Sequence, residues 1–326
     1  MNGTPLRNVR IWVRWPRWFR HVNPIVYLVF AGFLVNVIFQ PTILSLSLLG
    51  FQIQSTLPLV FVAFAQTLVI LSGGFDLSVG GILVITNVLT ATLLGGTSGT
   101  HLWLLPGILV VGLGLGAING VLVAWVKLQP FIATLGTWAV YDGIALTILK
   151  TDGGNVPTAL TSVVNGTIGA LPVSYLILAG VVLLAVYVHR HPFGLYLKAT
   201  GADEENARRS GINTAAVRFA TYSLSGLLCG LAGLYLAAQT GTGTPTAGDS
   251  FILQSVEAVA IGGASLLGGQ GNIVATIGAV FVLTFISNIV FALNLQPYIA
   301  VIASSALLLA AVALKSARGL YQGAEL

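Results

Sequence analysis

Asp203, Glu204 and Glu205 stand ahead of Arg208 and Arg209 in KATGADEENARRSGIN, residues 198–213, so that Glu204–Arg208 and Glu205–Arg209 are each four positions apart. Opposite charges at that spacing meet on one helix face, and the acid-first order agrees with the helix dipole. Gly211 supplies a C-terminal stop. The sequence thus specifies a free-standing helix of about two turns, a length marginal in water unless something holds it. Its chemistry is recognition, a charged helix offered to a soluble partner; a solvated loop is the plainer alternative.

Other acids stand in apolar surroundings. Asp76 lies with Ser78 in SGGFDLSVGG, residues 72–81, where Gly73, Gly74, Gly80 and Gly81 would loosen the backbone between two apolar runs. Broken membrane helices use such junctions to aim dipoles and carbonyls. Asp76 can cap the following helix as its N-terminal acid, bind a cation or exchange a proton. Capping is preferred, because the run LSVGGILVITNVLT begins at the next residue. EAVAIGGASLLGGQGN, residues 257–272, again pairs an acid, Glu257, with doubled glycines, here Gly262, Gly263, Gly268 and Gly269. Charge is expensive in lipid, so Glu257 and Asp142 should face the protein interior, as structural acids or as substrate or gating contacts. Gln66, Asn87, Asn119, Thr137 and Asn288 also sit within apolar runs. They could line a pathway for a hydroxylated solute, since sugars are held by fixed donors and acceptors, or act as glue between helices.

Much chemistry is missing from the sequence. There is no GxxxxGK[ST] loop to cradle ATP, no HExxH, no cysteine cluster and no G-x-S-x-G. Neither a catalytic constellation, a metal site nor a bound cofactor is therefore expected on this chain. Cys229 is the single cysteine, which permits no internal disulfide and reads as helix packing. GLGLGA at 112–117 imitates a dinucleotide fingerprint but has no strand before it.

Composition fixes the setting of these residues. Of 326 residues only 7% are charged and 56% are hydrophobic, and the mean hydropathy is +0.93. A soluble surface cannot be built from such a chain. Charge is concentrated: eight of the 23 charged residues lie between Arg190 and Arg218, and five arginines precede residue 21. The net charge of +5 and the Arg–Trp alternation of RNVRIWVRWPRWFR are explained better by an interfacial anchor ahead of a membrane span than by nucleic acid. The apolar run from Pro24 reads as a retained first span rather than a cleaved signal.

Ten spans are expected, at roughly 24–40, 52–71, 77–96, 102–126, 131–149, 171–189, 216–238, 252–268, 273–293 and 297–314. With the N-terminus in the cytoplasm, Lys127, the 190–218 island, Lys315 and Arg318 fall inside, and Lys150 alone falls outside. The expected organisation is a basic aromatic segment at 1–23, one all-α polytopic domain at 24–314 with a cytoplasmic loop at 190–215, and a tail at 315–326, both termini being cytoplasmic. Segments 150–170 and 239–251 would be outside loops or short re-entrant pieces. Gly112, Gly116 and Gly120, and later Gly226 and Gly230, recur at four-residue spacing and mark close helix contacts.

Four strings in this order, GGFDLSVGG, LQPFIATLGTWAVYDGIAL, GADEENARRSGIN and AIGGASLLGGQGN, resemble the membrane permease subunit of bacterial ribose/xylose/arabinose-type ABC importers. The resemblance runs over about residues 50 to 290. It implies a ten-span permease with a type II importer-like fold, in the inner membrane, paired with a second copy as a homodimer or heterodimer. It also implies a periplasmic sugar-binding protein and a cytoplasmic, possibly tandem, ABC ATPase that carries the ATP-Mg. Residues 198–213 are similar to the family's loop G-N-E-E-A-A-R-x-S-G-I, which would make Asp203, Glu204, Glu205, Ala207, Arg208, Arg209, Ser210 and Gly211 a coupling helix docked on that ATPase. Branched-chain amino-acid permeases share the broader fold but usually lack D-L-S-V-G. Asp142 and Gln270 stand where arginine is common in the family, and Asn206 where alanine is usual; the reversed charge at 142 suggests a non-identical partner permease. The expected function is import of a monosaccharide or similar small polyhydroxylated solute by alternating access. The alternatives are a secondary transporter coupled to ions or protons through Asp76, Glu257 or Asp142, and a permease for a nucleoside or branched-chain amino acid.

Overall fold

The computed structural model describes residues 24–95 and 101–323. The basic segment 1–23 and residues 324–326 lie outside the described residues. The chain forms α1 (Pro24–Phe39), α2 (Leu46–Leu71), α3 (Val79–Leu93), α4 (Leu105–Ala124), α5 (Pro130–Ile148), α6 (Thr158–Asn165), α7 (Val173–Arg190), α8 (Pro192–Ala202), α9 (Glu204–Arg209), α10 (Thr214–Thr240), α11 (Gly248–Ile261), α12 (Ile273–Ala292) and α13 (Pro297–Gly323). Between α6 and α7 a two-residue strand, β1 (Thr167–Ile168), pairs antiparallel with β2 (Leu171–Pro172). The segment at 150–170 is thus a short helix and a small hairpin.

Among the described residues, six helices are long and apolar enough to cross a membrane: Leu46–Leu71, Leu102–Ala124, Pro130–Ile148, Val173–Arg190, Thr214–Thr240 and Ile273–Ala292. Pro24–Phe39, Val79–Leu93 and Pro297–Ala311 are shorter apolar helices. α2 begins earlier than hydropathy suggests because Ser45 caps it, its hydroxyl accepting from the Leu48 amide at 3.2 Å. α11 differs more. The expected span at 252–268 is instead a helix from 248 to 261, because the Gly262–Gly263 pair ends it. Gly263 adopts φ +84, and the Ala264 amide turns back to the Val259 carbonyl at 3.1 Å, a glycine-dependent helix stop. The same device ends α2, where Gly73 adopts φ +78 and the Gly74 amide reaches the Val69 carbonyl at 3.0 Å.

α10 lies at the centre, packed on α4, α3 and α2. Tyr222, Ser225, Cys229, Ala232, Ala237 and Ala238 of α10 are fully buried. The two glycine series predicted to make helix contacts make them with each other. A Cβ on Gly226 would lie 2.3 Å from the Gly112 carbonyl oxygen, and one on Gly116 would lie 2.3 Å from the carbonyl of Tyr222. Side-chain-free faces let the two backbones approach and gain dispersion contacts where lipid offers no hydrophobic incentive for association. Gly74, Gly80 and Gly81 have the same role rather than loosening the backbone. A Cβ on them would meet the Tyr222 hydroxyl at 2.6 Å, the Gly248 carbonyl at 2.7 Å and Tyr141 Cβ at 2.8 Å respectively. Replacing Gly226 with valine is expected to force α4 from α10 at a cost of at least about 1–3 kcal/mol, read as a lower melting temperature in detergent; an unchanged melting temperature would refute the close packing.

Candidate functional site

The 198–213 island is two helices, not one. Pro192 opens α8, with His191 as its cap accepting from the Phe193 amide at 3.2 Å. At the end of α7, Lys198 Nζ lies 3.3 Å from His189 Nε2, and partial burial draws the Lys198 ammonium below its usual pKa. The chain straightens at Asp203, the N-cap of α9: its carboxylate accepts from the Asn206 amide at 2.9 Å and from Asn206 Nδ2 at 2.7 Å. Arg208 pairs with Glu204 at 2.9 Å and Arg209 with Glu205 at 3.2 Å, the two spacings read from the sequence. Gly211 at φ +85 ends the helix, and the Ser210 hydroxyl donates to the Asn206 carbonyl at 2.9 Å.

Six residues cannot hold a helix alone. Arg218 of α10 supplies the missing support, pairing with Glu204 at 2.8 Å, and the Thr214 hydroxyl donates to the same carboxylate at 3.3 Å. Ala207 is buried, whereas Glu205, Arg208 and Arg209 remain exposed. Glu204 therefore faces the membrane helices and Glu205 faces outward. Neither α8 nor the Arg218 pairing was read from the sequence.

The two glycine strings, 72–81 and 262–272, come together at Gly201 of α8. A Cβ there would stand 2.0 Å from the Leu71 carbonyl oxygen and 2.8 Å from the amide nitrogens of Gly73 and Gly269. Gly268 packs on Gly73 and Gly201, and the Gly269 amide donates to the Leu71 carbonyl at 3.2 Å. Only glycine fits at Gly201. The break between α2 and α3, the break between α11 and α12, and the island thus share one contact.

Asp76 is fully buried in the first of these breaks. Its Oδ1 accepts from the Ser78 amide at 2.9 Å and the Ser78 hydroxyl at 2.6 Å, and its Oδ2 from the Ser225 hydroxyl at 3.3 Å. Ser78 is the N-cap residue of α3, so the carboxylate secures the start of that helix from two residues upstream. The network continues: Asn119 Nδ2 donates to Ser78 Oγ at 2.6 Å, and the Thr137 hydroxyl to Asn119 Oδ1 at 2.7 Å. Thr134 accepts from the Leu77 amide at 3.1 Å, and the Tyr222 hydroxyl donates to the Phe75 carbonyl at 3.2 Å. Ser225, Thr134 and Tyr222 carried no signal in the sequence, each being one small or aromatic polar residue in an apolar helix.

The seven pathway candidates divide. Asn119 and Thr137 belong to the Asp76 network. Asn87 is glue, donating to the Gly233 carbonyl at 3.2 Å and accepting from the Thr244 amide at 2.7 Å. Gln66 is fully buried with neither amide atom hydrogen-bonded. Asp142 is half-buried on α5, a helix that the rest of the chain largely leaves uncovered, so the expectation that it faces the interior holds only in part. Glu257 and Asn288 alone share a space, a cavity of about 400 Å³ between α2, α11, α12 and α13. The Ser305 hydroxyl donates to Glu257 Oε1 there at 3.2 Å.

Residues 48–312 match the family described as branched-chain amino acid transport system / permease component. The ribose import permease protein of Haemophilus influenzae is 35% identical over 259 residues, covering 77% of this chain and 79% of that protein. The ribose import permease protein of Bacillus subtilis is 36% identical over 266 residues, covering 78% and 80%, and the fructose import permease protein of Rhizobium meliloti is 36% identical over 279 residues, covering 80% and 76%. No solved structure matches the chain.

The Asp76 network makes a graded expectation. Asp76→Ala strands the Ser78 amide in a dry site at a cost of about 1–3 kcal/mol, whereas Asp76→Asn retains an acceptor and should cost less. Thermal unfolding of the purified variants in detergent checks the order, and equal stability of all three proteins would refute it.

Proposed function

The chain belongs to the permease-component family of binding-protein-dependent importers, among permeases for monosaccharides, and from that premise we propose that it is the membrane-spanning subunit of an ATP-driven sugar importer. In this reading it pairs with a second permease copy, takes a monosaccharide from a periplasmic binding protein, and carries it inward by alternating access. ATP with its magnesium acts on a separate cytoplasmic ATPase, and this chain contributes the path and the mechanical connection. The ribose and fructose of its relatives' names support a monosaccharide as the substrate class.

The observation that carries this reading is the joint contact at Gly201. α9 presents Glu205, Arg208 and Arg209 to a partner, beside a groove of about 380 Å³ walled by Phe193, Tyr196, Ile212 and Ala216. Movement imposed on α9 passes to α8, and from Gly201 to both helix breaks at once. Packed elements of this kind shift between discrete arrangements rather than deform continuously. Opening and closing of the ATPase would thereby rock α2 and α11 together.

Reconstitution with the ATPase and binding protein tests the proposal, since uptake that continues without the ATPase would overturn it. The outward position of Glu205 refines the test. Glu205→Lys should depress uptake by about tenfold or more, the loss expected from removing a charge-assisted contact at an interface, with the melting temperature unchanged. Glu204→Lys should lower both, because it also breaks the pairing with Arg218. Coupled uptake by Glu205→Lys at the unmodified rate would return α9 to a passive loop.

A further inference from the structure

The cavity between α2, α11, α12 and α13 takes none of its lining from α8 or α9. Its walls come from the first half of α2, the body of α11, the last turns of α12 and the first turns of α13. At about 400 Å³ it falls within the range of small-molecule sites, about 300–1,000 Å³. Its lining is unusual for a membrane helix bundle, with hydroxyl, amide and carboxylate side chains on all four helices. Such groups are costly in lipid and need partners.

The hydrogen bonds inside the cavity state what kind of partner. Ser55 and Thr56 each spend their hydroxyl proton on the Gln52 carbonyl, at 2.9 and 2.7 Å. Thr284 and Ser304 likewise donate to carbonyls of their own helices, at 3.0 and 3.1 Å. A hydroxyl whose proton is committed still offers lone pairs. The hydroxyl groups therefore present acceptors, the side-chain amides of Gln254 and Asn288 offer donors as well as acceptors, and Glu257, with one bond from Ser305, has accepting capacity to spare. Among the described residues no lysine, arginine or histidine lines the space, so none of them balances the carboxylate of an amino acid. A ligand rich in hydroxyl groups, which both donate and accept, and without charge is what these walls complement.

We propose that this cavity is a binding site for a small neutral polyhydroxylated solute, with Glu257 accepting hydrogen bonds from the solute's hydroxyl groups. The proposal rests on the importer reading above and gives it a location within a single subunit. Glu257 is then a determinant of specificity, separating neutral polyols from amino acids of similar size.

The buried Cys229 makes a clean experiment available, because a membrane-impermeant thiol reagent should leave the unmodified chain unlabelled. The full chain carrying Ser304→Cys, reconstituted in bilayers, is labelled in the presence of D-ribose, D-fructose, L-leucine or sodium chloride. The expected result is that a sugar slows labelling and that Glu257→Ala raises the half-protecting concentration by about tenfold or more, the factor that follows from losing a charge-assisted hydrogen bond. Glu257→Gln, which keeps the side-chain shape, should fall between and guards against a folding defect in the alanine variant. Lack of protection by either sugar, protection unchanged by both Glu257 substitutions, or protection by leucine or sodium chloride alone would each overturn the proposal. Uptake that proceeds without the ATPase would overturn the importer reading instead and leave the protection result intact.

Discussion

A membrane interior supplies no water to unpaired amides and carbonyls, so a helix broken there survives only if other parts of the protein satisfy the freed backbone. The junction at 75–78 meets that constraint with side chains from two neighbouring helices and with its own Asp76. Thr134 of α5 takes the Leu77 amide, Tyr222 of α10 reaches the Phe75 carbonyl, and Asp76, held by Ser225 of α10, takes the Ser78 amide. The junction at 262–272 is closed more by its own backbone, as in the Ser265 amide bonded to the Gln270 carbonyl at 2.8 Å. Its remaining tie runs to α2, from the Gly269 amide to the Leu71 carbonyl. α5 and α10 thus supply the side chains that close the first break, and α4 holds Ser78 through Asn119.

This accounting also weighs the rival use of Asp76 as a coupling acid. Two donors occupy its Oδ1 and one its Oδ2, and Ser78 is itself held by Asn119. A carboxylate so engaged orders the α2–α3 junction. Displacing its partners to bind a cation would unsettle the start of α3, since the Ser78 amide has no other acceptor in the network.

What was legible in the sequence was whatever depends on neighbours along the chain. The i,i+4 pairs of α9 and its glycine stop could be read because helix geometry alone brings Glu204 to Arg208. The four-residue glycine spacing could be read as a contact face for the same reason. Residues joined across the fold could not. Nothing adjacent to Arg218 marks it as the partner of Glu204, and Gly201 is one glycine among 39 until Leu71, Gly73 and Gly269 surround it. Hydropathy carried the expected eighth span past Ile261 to 268 because it averages over side chains. The stop depends on the backbone freedom of Gly263, which has no side chain to average. For the same reason hydropathy grouped Gln66, Asn87, Asn119 and Asn288 together, whereas packing gives them different surroundings.

The island and the polar cavity are connected by two helices, α2 and α11. α2 carries Ser55 and Thr56, in its first half, into the polar cavity and ends at Leu71, whose carbonyl meets the Gly269 amide and lies against Gly201. α11 carries Gln254 and Glu257 into the same cavity and ends at Ile261, where the glycine string leading to Gly268 and Gly269 begins. One wall of the cavity, α2, therefore ends at the island, and another, α11, leads to it through the glycine string that reaches Gly268 and Gly269. α2 is buried along nearly all of its inner half, and close-packed interiors transmit displacement rather than absorb it. A shift of α8 that moves Gly201 must move Leu71 and Gly269 as well, because their separation leaves no room even for a methyl group. Side-chain-free contact and hydroxyl-lined space are in this way joined through α2 and α11.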